Sequence, residues 1–233
     1  MTVRVVGLDG DDTLWHNETR FNITQADYRE LLGRHVTGVD IAARLAETEM
    51  KNLGLYGYGV KSFTLSMLAT AIQLTEARIP AADLEVILGW GKRMLMEPTE
   101  LLERVEETLK QIAGRYDLLL ITKGDIFDQE SKLARSGLGE LFLGVEIVSD
   151  KNTDSYARIF RRRGINPAEF VMVGNSLRSD VVPVVSLGGY AVHIPYSVTW
   201  HHEHVPEDEL PREGWRRIAG IGELPAVLDD LSA

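Results

Sequence analysis

Four short polar clusters hold the side chains that could do chemistry in this 233-residue chain. The first reads Asp9-Gly10-Asp11-Asp12-Thr13. The second is Thr122-Lys123-Gly124-Asp125 and the third Ser149-Asp150-Lys151. The fourth is Gly174-Asn175-Ser176, with Asp180 following shortly after. Carboxylates crowded at one place repel each other unless a cation sits among them. Hard oxygen donors without His or Cys favour Mg2+, which keeps part of its shell for water and phosphate oxygens. A carboxylate at such a place can attack phosphorus and carry it as an aspartyl-phosphate. A second carboxylate two residues on can protonate the leaving group and then activate water. Thr122 and the amides around Gly124 offer hydrogen bonds to phosphoryl oxygens, with Thr13 and Lys123 beside them. Lys151 offers a positive charge that offsets both the nucleophile and the transferring group.

These clusters need elements to bring them together. Residues 3–8 form a β-branched, apolar run stopped by the acidic turn, which predicts a short buried strand. Asp117–Thr122 is a continuous apolar run and predicts another. Residues 144–148 form a weaker strand, and Phe170–Gly174 and Tyr190–Ile194 two more. Helical spacing at 127–136 and 153–163 alternates with these strands, as expected of a parallel sheet covered on both faces. In such sheets, ligands bind beyond the carboxyl ends of the strands, and each polar cluster follows one of those ends.

A largely helical block interrupts this pattern after the first strand. Residues 22–50 and 60–96 show helical spacing, separated by the Gly-rich run at 54–59. Pro98 is expected to open a further helix to about residue 113. The expected organisation is an α/β core at 1–14 and 96–233, with an inserted helical cap at 15–95. The stretch after Pro195 reads as irregular, followed by a short helix at 223–231.

Composition narrows the class. Lys plus Arg total 25 against 35 Asp plus Glu, a formal charge of −10. An acidic chain is a poor default ligand for nucleic acid or anionic membrane. There is no cysteine, which excludes disulfides, a thiolate nucleophile and Cys-ligated metal. No apolar run reaches about 18 residues, so no membrane span is expected. The N-terminal residues read as a strand and not as a signal peptide. A cytoplasmic location, no nucleic-acid partner and no membrane partner are expected.

The four clusters together resemble the haloacid dehalogenase-like hydrolase superfamily, most of whose members are phosphatases. The resemblance covers nearly the whole chain. The family's Asp-x-Asp-x-Thr motif stands at Asp9, Asp11 and Thr13, followed by Leu14-Trp15. Its strand-ending Ser or Thr is Thr122, its Lys is Lys151, and its Gly-Asp-x-x-x-x-Asp motif is matched by Gly174-Asn175 and Asp180. The helical insertion lies where the family's helical type of cap belongs. The resemblance implies Asp9 as nucleophile and Asp11 as general acid/base. It implies Mg2+ held by the Asp9 side chain, the Asp11 main-chain carbonyl and residue 175, with Asp180 supporting the metal shell or Lys151. Asn175 departs from the usual Asp and brings an oxygen without charge, so a weaker metal site is expected. The dehalogenase branch lacks the second Asp and needs no metal. Asp11 therefore favours a phosphatase acting on a small phosphorylated metabolite under a closing cap, as a monomer or homodimer.

Other readings stand beside this one. The same residues would serve a phosphomutase. A phosphonate hydrolase would need a cap lysine, with Lys51, Lys61 and Lys92 as candidates. A non-catalytic phospho-acceptor of the receiver type also clusters Asp, Thr and Lys at strand ends, but this chain is longer and carries the helical block. A binding protein with a decayed site is the reading Asn175 motivates. Asp12 and Asp125 read as turn or capping residues. His16 and Trp15 are placed to touch substrate or to pack in the core, and Tyr56, Tyr58 and Lys61 to line the cap or pack within it. Trp200-His201-His202-Glu203-His204 is a zinc-like cluster without a regular helix to align it. Arg161–Arg163 reads as a solvated helix end.

Overall fold

A computed structural model describes residues 2–197, 205–206 and 209–232. The polar cluster at 200–204 lies outside the described residues. Six strands form one parallel sheet in the order β3-β2-β1-β4-β5-β6. They are β1 (Val5–Leu8), β2 (Asp117–Lys123), β3 (Gly144–Val148), β4 (Phe170–Gly174), β5 (Tyr190–His193) and β6 (Trp215–Arg217). The expected α/β architecture with a parallel, Rossmann-like sheet is the one observed. Every residue of β1 is buried, because parallel neighbours flank it on both sides and helices cover both faces. Val5, Val6, Gly7 and Leu8 pair in register with Asp117–Leu120 on one side and Phe170–Val173 on the other.

Tertiary packing divides the chain into two compact units. One comprises Met1–Glu18, Thr99–Lys123 and Gln129–Ala233; the other comprises Thr19–Pro98 and Gly124–Asp128. The first unit has a core on each face of the sheet. One contains Leu8, Leu14, Trp15, Leu109, Leu120 and Val173. The other contains Ile121, Tyr156, Phe160, Phe170 and Met172. Gly7 is required where the sheet meets this second core, since a Cβ there would lie 2.5 Å from the Phe170 ring. The second unit is built from α1 (Glu18–Leu32), α2 (Ile41–Tyr56), α3 (Val60–Leu74) and α4 (Ala81–Met96). These helices bury Tyr28, Leu32, Phe63, Met67 and Ile87 among themselves.

The helical block is more divided than its spacing suggests. The stretch 22–50 breaks between α1 and α2, where Asp40 caps α2 by accepting from the Ala43 amide. The stretch 60–96 breaks at 75–80, where Glu76 and Ala77 take positive φ and Pro80 precedes α4. The helix expected from Pro98 begins only at Val105, as α5 (Val105–Ile112). Residues before it are extended instead. The Leu102 amide donates to the Leu14 carbonyl and the His16 amide to the Glu100 carbonyl, and Arg104 turns the chain through a positive φ. A backbone already satisfied by strand-like pairing has no use for a helix there.

The remaining helices are α6 (Ile126–Ser136), α7 (Thr153–Arg163), α8 (Val182–Ser186) and α9 (Leu224–Ser232). Strand β6 is absent from the sequence reading because Trp-Arg-Arg has no apolar run; pairing with Ala191–His193 of β5 creates it. Among the described residues, no helix is long and apolar enough to cross a membrane.

Candidate active site

The parallel sheet carries its polar residues at the carboxyl ends of β1, β2, β3 and β4, all within the first unit. Asp9 follows β1, and its amide donates to the Val173 carbonyl at 2.9 Å. Thr13 Oγ1 donates toward Asp9 Oδ2 at 3.2 Å and Asn175 Oδ1 at 3.5 Å. That hydroxyl therefore joins the first and fourth clusters. Lys151 Nζ bridges Asp9 Oδ1 and Asp180 Oδ1, the latter at 2.7 Å. The three side chains are 8%, 2% and 1% exposed for Asp9, Lys151 and Asp180. Asp180 is further fixed by the Ser176 amide, which donates to its Oδ2 at 3.1 Å.

Local backbone explains why Asp180 can reach this far. Residues Leu177–Val181 form a π-turn capped by Ser176, whose hydroxyl accepts from the Ser179 amide. Such wide turns recur at functional sites. Gly174 is the necessary partner, because a Cβ there would lie 2.1 Å from Asp180 Oδ2.

Burial and charge tune this group. Burial pushes Asp9 up to about 7, against the lowering pull of Lys151 and with the Asp180 charge adding to the rise. Burial works to lower Lys151, yet Asp180 and Asp9 outweigh it and hold the lysine above its ordinary range. Tyr156 on α7 lies fully buried nearby. Burial, with the charges of Asp180 and Asp9, holds that phenol well above its ordinary value.

Asp11 has a separate environment. Trp15 Nε1 donates to its Oδ1 at 2.7 Å, Gln129 Nε2 to its Oδ2 at 2.9 Å, and Lys132 Nζ reaches both oxygens at 2.9 and 3.1 Å. Burial alone would raise Asp11, but the Lys132 charge and these hydrogen bonds hold it below the usual carboxylate range. Gly10 lets the indole approach, since a Cβ would meet the Trp15 ring at 2.7 Å. Trp15 is fully buried, so it packs in the core and also touches a site residue.

Thr122 is buried and donates to Gln129 Oε1 at 3.2 Å. Lys123 Nζ donates to Ser179 Oγ at 3.1 Å. Gly124 adopts a positive φ and groups with the second unit. Asp12 accepts from the amides of Asn17 and Glu18, and Asp125 from that of Asp128, so both cap as expected. His16 Nδ1 lies 2.7 Å from Tyr196 Oη. In the second unit, Lys61 pairs with Asp125 at 2.9 Å, and Tyr56 is exposed. Arg162 and Arg163 are more than a solvated helix end: both hold Glu146, a buried carboxylate on edge strand β3.

Three residues escaped the sequence reading. Gln129 and Lys132 are helix residues whose target lies more than a hundred positions away. His193 ends β5, and its Nε2 lies 3.0 Å from the Asn175 carbonyl. The signal for His193 was present, as a polar residue at the end of a fifth apolar strand.

The oxygen donors suit a hard cation. Among the described residues, no three His, Cys, Asp or Glu side chains surround one point. Asp180 is occupied by Lys151 and Ser176. The donors that Thr13 gathers are one carboxylate, Asp9, and one amide oxygen, Asn175. One or two protein oxygens with water and phosphate filling the remainder is the Mg2+ pattern.

Comparison with known proteins identifies the family. A family model described as haloacid dehalogenase-like hydrolase matches residues 3–183. The chain belongs to this family. Among solved structures, a haloacid dehalogenase-like family hydrolase from Xanthomonas campestris is 39% identical. It superposes with a TM-score of 0.89, over 99% of this chain and 92% of that one. A Bacillus subtilis protein described as a HAD-hydrolase and bound to magnesium has a TM-score of 0.69 at 17% identity, covering 98% and 100% of the two chains. A 2-haloacid dehalogenase from Pseudomonas syringae has 0.66 at 18% identity, covering 98% and 99%. The last two are similar in fold alone. No curated relative matches the chain. The fold is thus shared with a protein described as a 2-haloacid dehalogenase, and the side chains must decide the chemistry of this chain.

Proposed function

We propose that this hydrolase cleaves small phosphomonoesters with the help of Mg2+. The observation that carries the reading is the buried Asp9–Lys151–Asp180 group, tied through Thr13 to Asn175, with a second carboxylate, Asp11, two residues from Asp9. Asp9 attacks phosphorus and the ester oxygen leaves. Asp11, held as the carboxylate by Lys132 before substrate arrives, takes up a proton as the phosphate's negative charge enters beside it and gives that proton to the ester oxygen. Lys151 offsets negative charge on Asp9 and on the phosphoryl oxygens, and the Thr122 hydroxyl turns from Gln129 to donate a hydrogen bond to one of those oxygens. Asp11 then takes a proton from the water that attacks the aspartyl-phosphate, which frees Asp9 and releases phosphate. Asp9, Asn175 and the Asp11 carbonyl would hold Mg2+, which supplies positive charge for the phosphate oxygens. Asp180 holds Lys151 in place.

Asp11 favours this chemistry over halide displacement, in which no leaving group needs a proton. The candidate phosphonate-hydrolase lysines are poor Schiff-base formers. Lys51 and Lys61 are 69% and 50% exposed and ion-paired, and Lys92 is exposed. A nucleophilic lysine is desolvated in an apolar pocket or set beside a second cation.

The test measures phosphate release from p-nitrophenyl phosphate and a panel of phosphorylated metabolites, with Mg2+ and with EDTA, beside Asp9→Asn. Chloride release from 2-chloropropionate is measured in parallel. Metal-dependent phosphate release lost in Asp9→Asn is the expected result. Chloride release without phosphate release overturns the reading.

A further inference from the structure

Gln129 and Lys132 are polar side chains placed where a helix normally puts apolar ones. They stand three residues apart on α6, hence on one face of it, and are 2% and 7% exposed. Burying a lysine and an amide is costly unless their partners are built in. Here the partners are specific. Lys132 Nζ reaches both oxygens of Asp11, and also Asn17 Oδ1 at 2.8 Å. Gln129 accepts from the Thr122 hydroxyl through Oε1 and donates to Asp11 through Nε2. With Trp15 Nε1, each Asp11 oxygen has two donors. A single glutamine therefore links the threonine assigned to phosphate with the carboxylate assigned to proton transfer.

We propose that Gln129 and Lys132 are positioning residues that hold the Asp11 carboxylate in place until one of its oxygens takes up the proton for the leaving group. The proposal rests on the phosphomonoesterase reading above. A mere staple between residues 11–17 and α6 would use the same bonds, but it would support all substrates alike. A device that aims an acid matters in proportion to how much proton the departing oxygen needs. p-Nitrophenolate departs readily without one, whereas an alkoxide does not.

The test compares kcat on p-nitrophenyl phosphate and on β-glycerophosphate, at saturating Mg2+, for wild type, Lys132→Met, Gln129→Met and Lys132→Arg. In Lys132→Met and Gln129→Met, kcat for glycerophosphate is expected to fall at least tenfold more than for the aryl ester. Asp11→Asn should give the same pattern, more strongly. Lys132→Arg should recover much of the ratio. Adding Lys132→Met to Asp11→Asn should cost little further, since both act through one carboxylate.

A second readout needs no turnover. The Trp15 indole N–H resonance, assigned with Trp15→Phe, should move in Lys132→Met as Asp11 loses its place. Equal losses on both substrates, an unmoved indole resonance, or a full Lys132→Met penalty in the Asp11→Asn background each overturn the proposal. A wild type that releases phosphate from neither ester overturns the phosphomonoesterase reading along with it. An active wild type whose substrate ratio is insensitive to these variants overturns the positioning role alone.

Discussion

Asp180→Asn should destabilise the wild-type protein and stabilise a Lys151→Met variant. Lys151 lies between Asp9 and Asp180, and all three side chains are at least nine-tenths buried. Removing a buried charge's partner costs about 3–5 kcal/mol. Lys151→Met leaves two buried carboxylates facing each other, so the full range applies. Asp180→Asn is milder. The amide oxygen can still accept from the Ser176 amide, Asp9 still neutralises Lys151, and one repulsion disappears. We expect a loss of about 1–2 kcal/mol. In the Lys151→Met background the same change removes only repulsion and should return about 1 kcal/mol. The coupling is then about 2–3 kcal/mol, at the upper end for neighbouring residues. Urea unfolding followed by circular dichroism, in EDTA so that no cation takes part, measures all four corners of the cycle. The Lys151→Met melting temperature should fall by roughly 6–20 °C at this chain length. Equal Asp180→Asn effects in the two backgrounds, within about 0.5 kcal/mol, would refute the view that Lys151 is what makes two buried carboxylates tolerable.

Other expectations follow from the same geometry. Gly174→Ala puts a Cβ 2.1 Å from an Asp180 oxygen that Lys151 and Ser176 hold in place, and should cost about 2–3 kcal/mol in urea unfolding. Gly114→Ala, with nothing within 4 Å, serves as the tolerated control. Asn175→Asp adds a charge beside Asp9 and should tighten Mg2+ binding by calorimetry about tenfold, or ~1.4 kcal/mol; unchanged affinity would remove Asn175 from the metal set. Asp9 is raised in the folded protein from 3.8 to about 7, so the folded state holds a proton that the unfolded state has lost in that window. Its contribution is favourable at low pH and is lost as pH rises through about 7. Metal-free wild type should therefore lose stability, relative to Asp9→Asn, between pH 5 and 8 on titrated urea curves, and parallel curves would contradict the burial of Asp9.

The strands and the residues at their ends were legible because both obey local rules. A buried parallel strand is a continuous apolar run, as in Asp117–Thr122, and the polar residue that ends it stands next to it in sequence. Asp9, Thr122 and Asn175 are found that way, and Lys151 nearly so. Helix spacing says less. It reports which face is apolar but not where a chain turns, so Glu76 and Ala77, which adopt positive φ without being glycine, left no mark. Residues 98–104 carry a helix-like sequence but answer to Leu14 and His16 across the fold. The same limit hid Gln129 and Lys132. Helical spacing at 127–136 singles out neither of them, and only tertiary structure supplies the carboxylate that makes their burial favourable. A strand end announces its chemistry by position alone. A helix side chain acquires its role from whatever the fold lays against it, so the residues that tune Asp11 are the ones a linear reading passes over.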